Sequence, residues 1–271
     1  MSATQAARLE TVLAQARGQG RRAAAVAVAL LAVILAAAAY SSLFDAARYR
    51  GALDTLLTLA GDAVPPDFRR WDKWGRPLLE TLAMSVVGTV LGAVCALPLG
   101  ALAARTLVPA WAGAPARTLL NALRSIPGLI WGVLFVAAVG FGALPGIFAL
   151  ACHSTGVLGK FYCEILEHVE PGPGAALRSH GVSRLGVVRF AVLPQVLPRL
   201  ADVTLYRWEH NVRSATTLGV VGAGGLGLEI VTAFHLFEYR EAAALILLVL
   251  LLVSVINAIS AALRRRLVAG M

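Results

Sequence analysis

Residues 242–263 read AAALILLVLLLVSVINAISAAL, without one charged side chain, and the run stops at Arg264-Arg265-Arg266. A helix rises about 1.5 Å per residue, so a run of this length covers the roughly 30 Å hydrocarbon core of a bilayer. Inside hydrocarbon every backbone N–H and C=O must find a partner within the protein, which a helix provides from its own chain. The basic triplet reads as a cytoplasmic stop, because Lys and Arg gather on that side of spans. The whole chain shares the bias: 58% of its 271 residues are hydrophobic and 14% charged, with a mean hydropathy of +0.75. Soluble domains hold about 45–50% apolar and 25% charged residues, so a water-soluble fold is excluded. Disorder is excluded as well, since it needs low hydrophobicity and high charge. The expected fold class is an all-α membrane protein of about six transmembrane helices.

Working back along the chain, residues 23–44 form an uncharged run read as the first transmembrane helix. A cleaved signal peptide has a shorter apolar core and a small-residue cleavage site, whereas this run continues into Tyr40 and Phe44. Residues 81–104, including Pro98, give a second span. Residues 125–159 are too long for one crossing, and Gly140-Phe-Gly-Ala-Leu-Pro-Gly146 supplies the break between spans three and four. Between Pro194 and Arg240 lies a fifth crossing that carries Arg207, Glu209 and Arg213 inside it. With a cytoplasmic N-terminus, 15 Lys and Arg lie inside, beginning with Arg8, Arg17, Arg21 and Arg22, and 7 lie outside. The net charge of +9 therefore expresses topology rather than affinity for nucleic acid. The chain divides into a cytoplasmic segment 1–22, the first span 23–44, an external loop 45–76, a core 77–263 and a basic cytoplasmic tail 264–271. In the external loop Leu53, Leu56, Leu57 and Ala60 fall at i, i+3, i+4, i+7. They predict an amphipathic helix on the outer surface, anchored by Phe68, Trp71 and Trp74. Cys95, Cys152 and Cys163 sit in apolar stretches and read as packing residues, not as a disulfide framework.

The longest polar break between late spans is Glu170 to Pro198. Two short helices fit it, Ala175 to His180 and Ser183 to Phe190, with Gly181 supplying the positive φ of the turn and Ser183 capping the second. Leu177, Leu185, Val188 and Phe190 would stand uncovered there, which points to a docking surface for another protein. Arg207, Glu209 and Arg213 are expensive in hydrocarbon and should face a bundle interior or an aqueous path. Glu209 and Arg213, four apart, suit an ion pair; the remaining cation, with His210 and Asn211, would bias a path toward an anion. His153, Ser154 and Thr155 form a second polar island on span four.

Ala175-Ala176-Leu177, Gly181 and Leu193-Pro194 resemble the coupling-loop signature of bacterial ABC-importer permeases. The departures are Ala175 where that family has Glu, Leu177 where it often has Ala, and Ala191 where it has Ile. Pro65-Pro66-Asp67-Phe68, Arg124-Ser125-Ile126-Pro127, His153 to Lys160, Arg178 to Pro194 and Tyr206 to Thr216 resemble the permease of phosphonate-type importers in particular. The resemblance implies the type I ABC-importer permease fold, with the loop at 170–194 as the coupling-helix loop. It implies a transport subunit rather than an enzyme, in the bacterial cytoplasmic membrane, with both termini cytoplasmic and no cofactor or metal of its own. Its implied partners are a cytoplasmic ATP-binding subunit dimer, an external phosphonate-binding protein, a second copy of itself and the lipid bilayer. Coupling to the ATPase falls to Ala175, Ala176, Leu177, Gly181, Arg184, Leu193 and Pro194. The translocation pathway falls to His153, Thr155, Arg207, Glu209, His210, Asn211 and Arg213. The sequence lacks a phosphate loop, and Gly222-Ala-Gly-Gly-Leu-Gly227 follows a charged membrane helix rather than a strand, so it reads as a closely packed turn and not a dinucleotide site. Import of phosphate, phosphite or another small oxyanion by the same architecture is the near alternative. A membrane-embedded enzyme using His153, Cys163, Glu164, Glu167 and His168 is the remote one, with a channel beside it.

Overall fold

The computed structural model describes the backbone of residues 3–269 and the side chains of residues 19, 20 and 22–266. The side chains of Arg8, Arg17 and Arg21, and those of 267–271 in the basic tail, lie outside the described residues. The chain separates into two units, residues 1–60 and 61–271. The first holds helices α1 (Ala3–Tyr40) and α2 (Ala46–Tyr49) and most of α3 (Ala52–Asp62). The apolar part of α1, Arg22–Tyr40, is long enough to cross a membrane. It ends at Tyr40 rather than Phe44, because residues 41–44 form a turn with Ser42 at φ +58. Asp45 caps α2 by accepting from the Ala47 N–H. The expected amphipathic helix is α3, whose Leu53, Leu56 and Leu57 are all exposed.

The second unit holds α4 (Gly75–Ala103), α5 (Ala110–Ser125), α6 (Gly128–Val139), α7 (Ala143–Glu167), α8 (Pro171–Ser179), α9 (Arg184–Val187), α10 (Leu193–Leu218), α11 (Gly225–His235) and α12 (Tyr239–Ala269). Helices α4 and α7 form its centre. Water expulsion does not drive helices together inside lipid, so close approach over small residues takes its place. On α4 the buried positions Thr81, Ser85, Gly88, Gly92, Ala96 and Gly100 recur every three or four residues. A Cβ at Gly92 would fall 2.6 Å from the Ser154 Cβ, so Gly92→Leu should separate the two helices and cost about 1–3 kcal/mol.

Two further boundaries and one anchor residue differ from the sequence reading. Span three does not begin as one helix at Ser125: α5 and α6 meet at an 88° bend. Pro127 causes it, because proline donates no N–H and pushes the preceding Ile126 into extended backbone, ψ 120. At about 1.5 Å per residue the 12 residues of α6 reach only about 18 Å, so α6 alone does not cross. The fifth crossing is also divided. After α10 the chain turns at Gly222, φ +89, and resumes as α11 at 44° to it. Finally, Trp74 is not a surface anchor. It is 4% exposed, packs edge-on against Phe68 and donates from Nε1 to Glu241 at 3.3 Å. Among the described residues three helices are long and apolar enough to cross a membrane, or five when each bent pair counts as one span, against the six expected; α7, whose last turns carry Lys160, Glu164 and Glu167, is not among them. The break at Gly140 and Gly142 separates α6 from α7 as expected, although Pro145 and Gly146 belong to the first turns of α7, where proline is tolerated. All three cysteines are free.

Candidate functional site

The loop between α7 and α10 folds as two short helices. Gly181 takes φ +76, and the Gly181 and Val182 N–H groups donate back to the carbonyls of Arg178 and Leu177, closing the end of α8. The Ser183 hydroxyl accepts from the Gly186 N–H at 3.3 Å and starts α9. What the sequence did not suggest is continuity: a π-turn over Val188–Val192 passes directly into α10, so Leu193 and Pro194 are its first turn. The loop therefore runs on in unbroken helical backbone into the helix that carries Arg207. Leu185 is 78% exposed and Phe190 66%, with Val188, Leu193 and Leu197 also uncovered. Ala175, Ala176 and Arg184 share this open surface, while Leu177 is half-buried.

On α10 the positions Arg207, His210, Ser214 and Thr217 fall on one face and line a cavity of about 140 Å³. Its opposite wall is His153 and Leu150 of α7, with Gly128 and Leu129 at the start of α6. Arg207 is 5% exposed, and its Nε donates to the Ser154 Oγ at 2.9 Å. Asn211 Nδ2 donates to the same Ser154 Oγ at 2.9 Å and to Thr89 Oγ1 at 2.8 Å. The hydroxyl of Thr89 in turn donates to the Ser85 carbonyl at 2.6 Å. This chain of bonds fixes one edge of the guanidinium, while Arg207 Nη2 and Asn211 Oδ1 are buried without a partner. His153 bonds through Nδ1 to the Ile126 carbonyl at 3.1 Å, so that nitrogen carries the proton. Among the described residues no Asp or Glu lines the cavity and Arg207 enters no ion pair.

Of the expected pathway residues, the structure thus gathers His153, Arg207 and His210 at one cavity and sets Asn211 behind them. The others lie elsewhere. Thr155 is turned toward α4: its hydroxyl lies 3.5 Å from the Gly92 carbonyl of that helix and donates to the Ala151 carbonyl of its own at 2.8 Å. Glu209 does not pair with Arg213. The face it occupies meets α12, and its carboxylate receives Arg264, whose Nε also approaches Asp202 at 3.5 Å. Arg213 is exposed, one turn along from His210. Ser85 and Thr89 were missed as participants, although their four-residue spacing with Thr81 in an uncharged run is visible in the sequence.

The glycine turn at 222–227 is closely packed as expected: Leu226 N–H donates to Thr81 Oγ1 at 2.9 Å and Gly225 N–H to Glu80 at 3.2 Å. At the other end of α12, Arg70 bridges Glu238 at 3.0 Å and Glu241 at 2.8 Å. The residues weighed for enzyme chemistry are occupied structurally. Glu164 pairs with Lys160 at 3.0 Å, His168 Nδ1 bonds the Glu164 carbonyl at 2.8 Å, and Glu167 accepts the Arg105 N–H at 2.7 Å. Among the described residues no group of three or more His, Cys, Asp or Glu could hold a metal ion.

Residues 96–271 match the family described as the binding-protein-dependent transport system inner membrane component. The phosphite transport system permease protein PtxC of Stutzerimonas stutzeri is 48% identical over 234 residues, covering 86% of this chain and 85% of that protein. The phosphate-import permease protein PhnE of Mycolicibacterium smegmatis is 38% identical over 213 residues, 78% of this chain and 40% of the relative. An inward-facing MetNI methionine ABC transporter structure superposes with a TM-score of 0.61 at 25% identity, covering 72% of this chain and 95% of that one. Subunits of this kind work with a separate ATPase and an external binding protein. With an all-helical fold, several helices able to cross a membrane and this agreement over most of its length, the chain belongs to the binding-protein-dependent inner membrane transport components and is the permease subunit of an ABC importer, not an enzyme.

Proposed function

We propose that the chain carries a small phosphorus oxyanion inward by alternating access, working as a pair of identical permeases, with phosphite placed before phosphonate and phosphate. The observation that carries this reading is the cavity beside α10, where Arg207 is the one formal charge among the described lining residues. A cation without a counter-ion attracts anions and excludes cations along a path of low dielectric. The names of two relatives, one for phosphite and one for phosphate, support the same cargo class.

Counting the 25-residue α7 as a crossing beside α1, α4, the bent pairs α5–α6 and α10–α11, and α12 makes six; an even number leaves both termini on one face, and the Lys and Arg bias makes that face the cytoplasmic one. The loop at 170–194 then lies on that face too, and Leu185 and Phe190 enter the ATPase. Ala175, Ala176, Leu177, Gly181 and Arg184 shape the docking knob, while Leu193 and Pro194 transmit its movement into α10. Arg213 stands on the flank of the cavity face, where it meets the path shared with the second copy. Thr155 and Glu209 belong to the framework rather than the lining.

The test is uptake into vesicles holding this chain with its ATPase and binding protein. ATP-dependent phosphite uptake that vanishes when the chain is omitted, and that phosphonate competes away, is expected. Uptake of an unrelated solute by the assembled complex, with phosphite ignored, would overturn the cargo. Gly181→Val forces a β-branched residue to φ +76 and is expected to reduce copurification of the ATPase; undisturbed copurification counts against the docking assignment.

A further inference from the structure

We infer that the cavity beside α10 is a binding station for one tetrahedral oxyanion inside the permease, held between the N-terminus of α6 and the free edge of Arg207. This rests on the cargo class proposed above and goes beyond it, because a charged wall can steer ions past without ever holding one.

Four observations converge. First, the chain breaks by 88° between α5 and α6, and the break opens on the cavity. The earliest backbone bonds of α6 run from Ile130 and Trp131 to the Pro127 carbonyl at 3.0 and 3.3 Å, so the N–H groups of Gly128 and Leu129 precede the helical ladder. The positive end of a discontinuous helix set at membrane depth is a donor site for anions. Second, Arg207 lines the cavity, its Nε is tied to Ser154 and its Nη2, buried, has no hydrogen-bond partner. A guanidinium fixed along one edge gives up little conformational freedom when its other edge takes an oxygen.

Third, no carboxylate is among the described residues that line the cavity, so burial leaves Arg207 with a desolvation cost that none of them offsets. Two residues along the same helix, Glu209 has its counter-ion in Arg264. An arriving anion would complete Arg207 in the same way. Fourth, about 140 Å³ admits a small tetrahedral ion with a few waters but not a bulky organic anion. The Ser214 hydroxyl and His210 supply further polar contacts on the α10 side.

The experiment uses the purified permease–ATPase complex without the binding protein, with phosphite as the probe. Binding is read from broadening of the phosphite ³¹P resonance and from the thermal midpoint of the complex. Phosphite is expected to broaden its line and raise the midpoint of the parent complex. Arg207→Gln should weaken both effects at least tenfold without lowering the ligand-free midpoint, because it removes an uncompensated buried charge. Arg207→Lys keeps the charge but loses the planar fork and should fall between them. Gly128→Pro removes a single N–H at a position where proline fits a helix start, and should weaken binding severalfold.

Absence of both phosphite and sulfate binding to the parent complex, or equal binding by Arg207→Gln, overturns the station. Should Arg207→Gln lower the ligand-free midpoint, Gly128→Pro decides instead, and undiminished binding in that variant overturns it. Sulfate is run in parallel. Arg207-dependent binding of sulfate but not phosphite keeps the station and removes the phosphorus cargo, whereas phosphite uptake with Arg207-independent binding removes the station alone.

Discussion

Arg207 and Glu209 sit two residues apart on α10, both charged and both withdrawn from the surface, yet they are treated in opposite ways. Glu209 reaches across to α12 and finds Arg264. Arg207 turns to the α6–α7 side and meets hydroxyls, imidazoles and a helix N-terminus, but no acid. Pairing makes a charge tolerable inside a membrane and also makes it inert, since its field is already spent on its neighbour. The unpaired charge is less comfortable and remains available. The helix thus carries a structural clasp on one face and an open receptor on the other.

The comparison can be broken by giving Arg207 the partner it lacks. Ser214→Asp places a carboxylate in the cavity, and uptake is expected to fall about hundredfold, the equivalent of losing a charge-assisted interaction of about 1.5–3 kcal/mol, while folded protein is kept. Undiminished uptake would mean the cavity is off the path. The clasp is broken from the other side by Glu209→Gln, expected to cost about 1–3 kcal/mol in thermal unfolding; Arg264 is 29% exposed, so the loss stays below that of a fully buried pair. Exchanging the charges, Glu209→Arg with Arg264→Glu, should recover part of that loss, and no recovery would argue against a direct pair. Arg213→Ala, at an exposed position, should lower uptake only about twofold to fivefold with folding unchanged. The smallest effect belongs to the outer cluster. The hydrogen bond that Glu238 shares with Glu241 holds the Glu238 carboxyl above its ordinary value. Its contribution to stability is therefore present at pH below the usual glutamate range and lost as pH rises through the raised value, and Glu238→Gln should flatten that part of a midpoint-against-pH curve.

Much of this was legible in the chain itself. The uncharged runs located α1, α4, α7 and α12 because the bilayer demands about twenty apolar residues in a row, and Gly181 and Ser183 announced their turn and cap by local stereochemistry. The breaks at Pro127 and Gly222 were harder to place, since proline and glycine are tolerated within membrane helices and only packing decides whether the chain bends there. The site was half legible. Arg207, His210 and His153 stood out as polar residues in apolar surroundings. Their partners did not: Ser154 and Thr89 reach Asn211 across three helices, and no spacing along one helix predicts which face meets which neighbour. The same limit misassigned Glu209, whose neighbour on its own helix, Arg213, was the nearer candidate in sequence, while Arg264 is nearer in space.

Phosphite uptake per assembled complex, compared among the parent chain, Arg207→Gln and Arg264→Gln, tests the central contrast most directly. The account predicts that Arg207→Gln loses at least nine-tenths of its uptake at an unchanged thermal midpoint, while Arg264→Gln loses stability and retains uptake in proportion to the complex that survives. Equal loss of uptake and stability in both variants, or full uptake by Arg207→Gln, would contradict it.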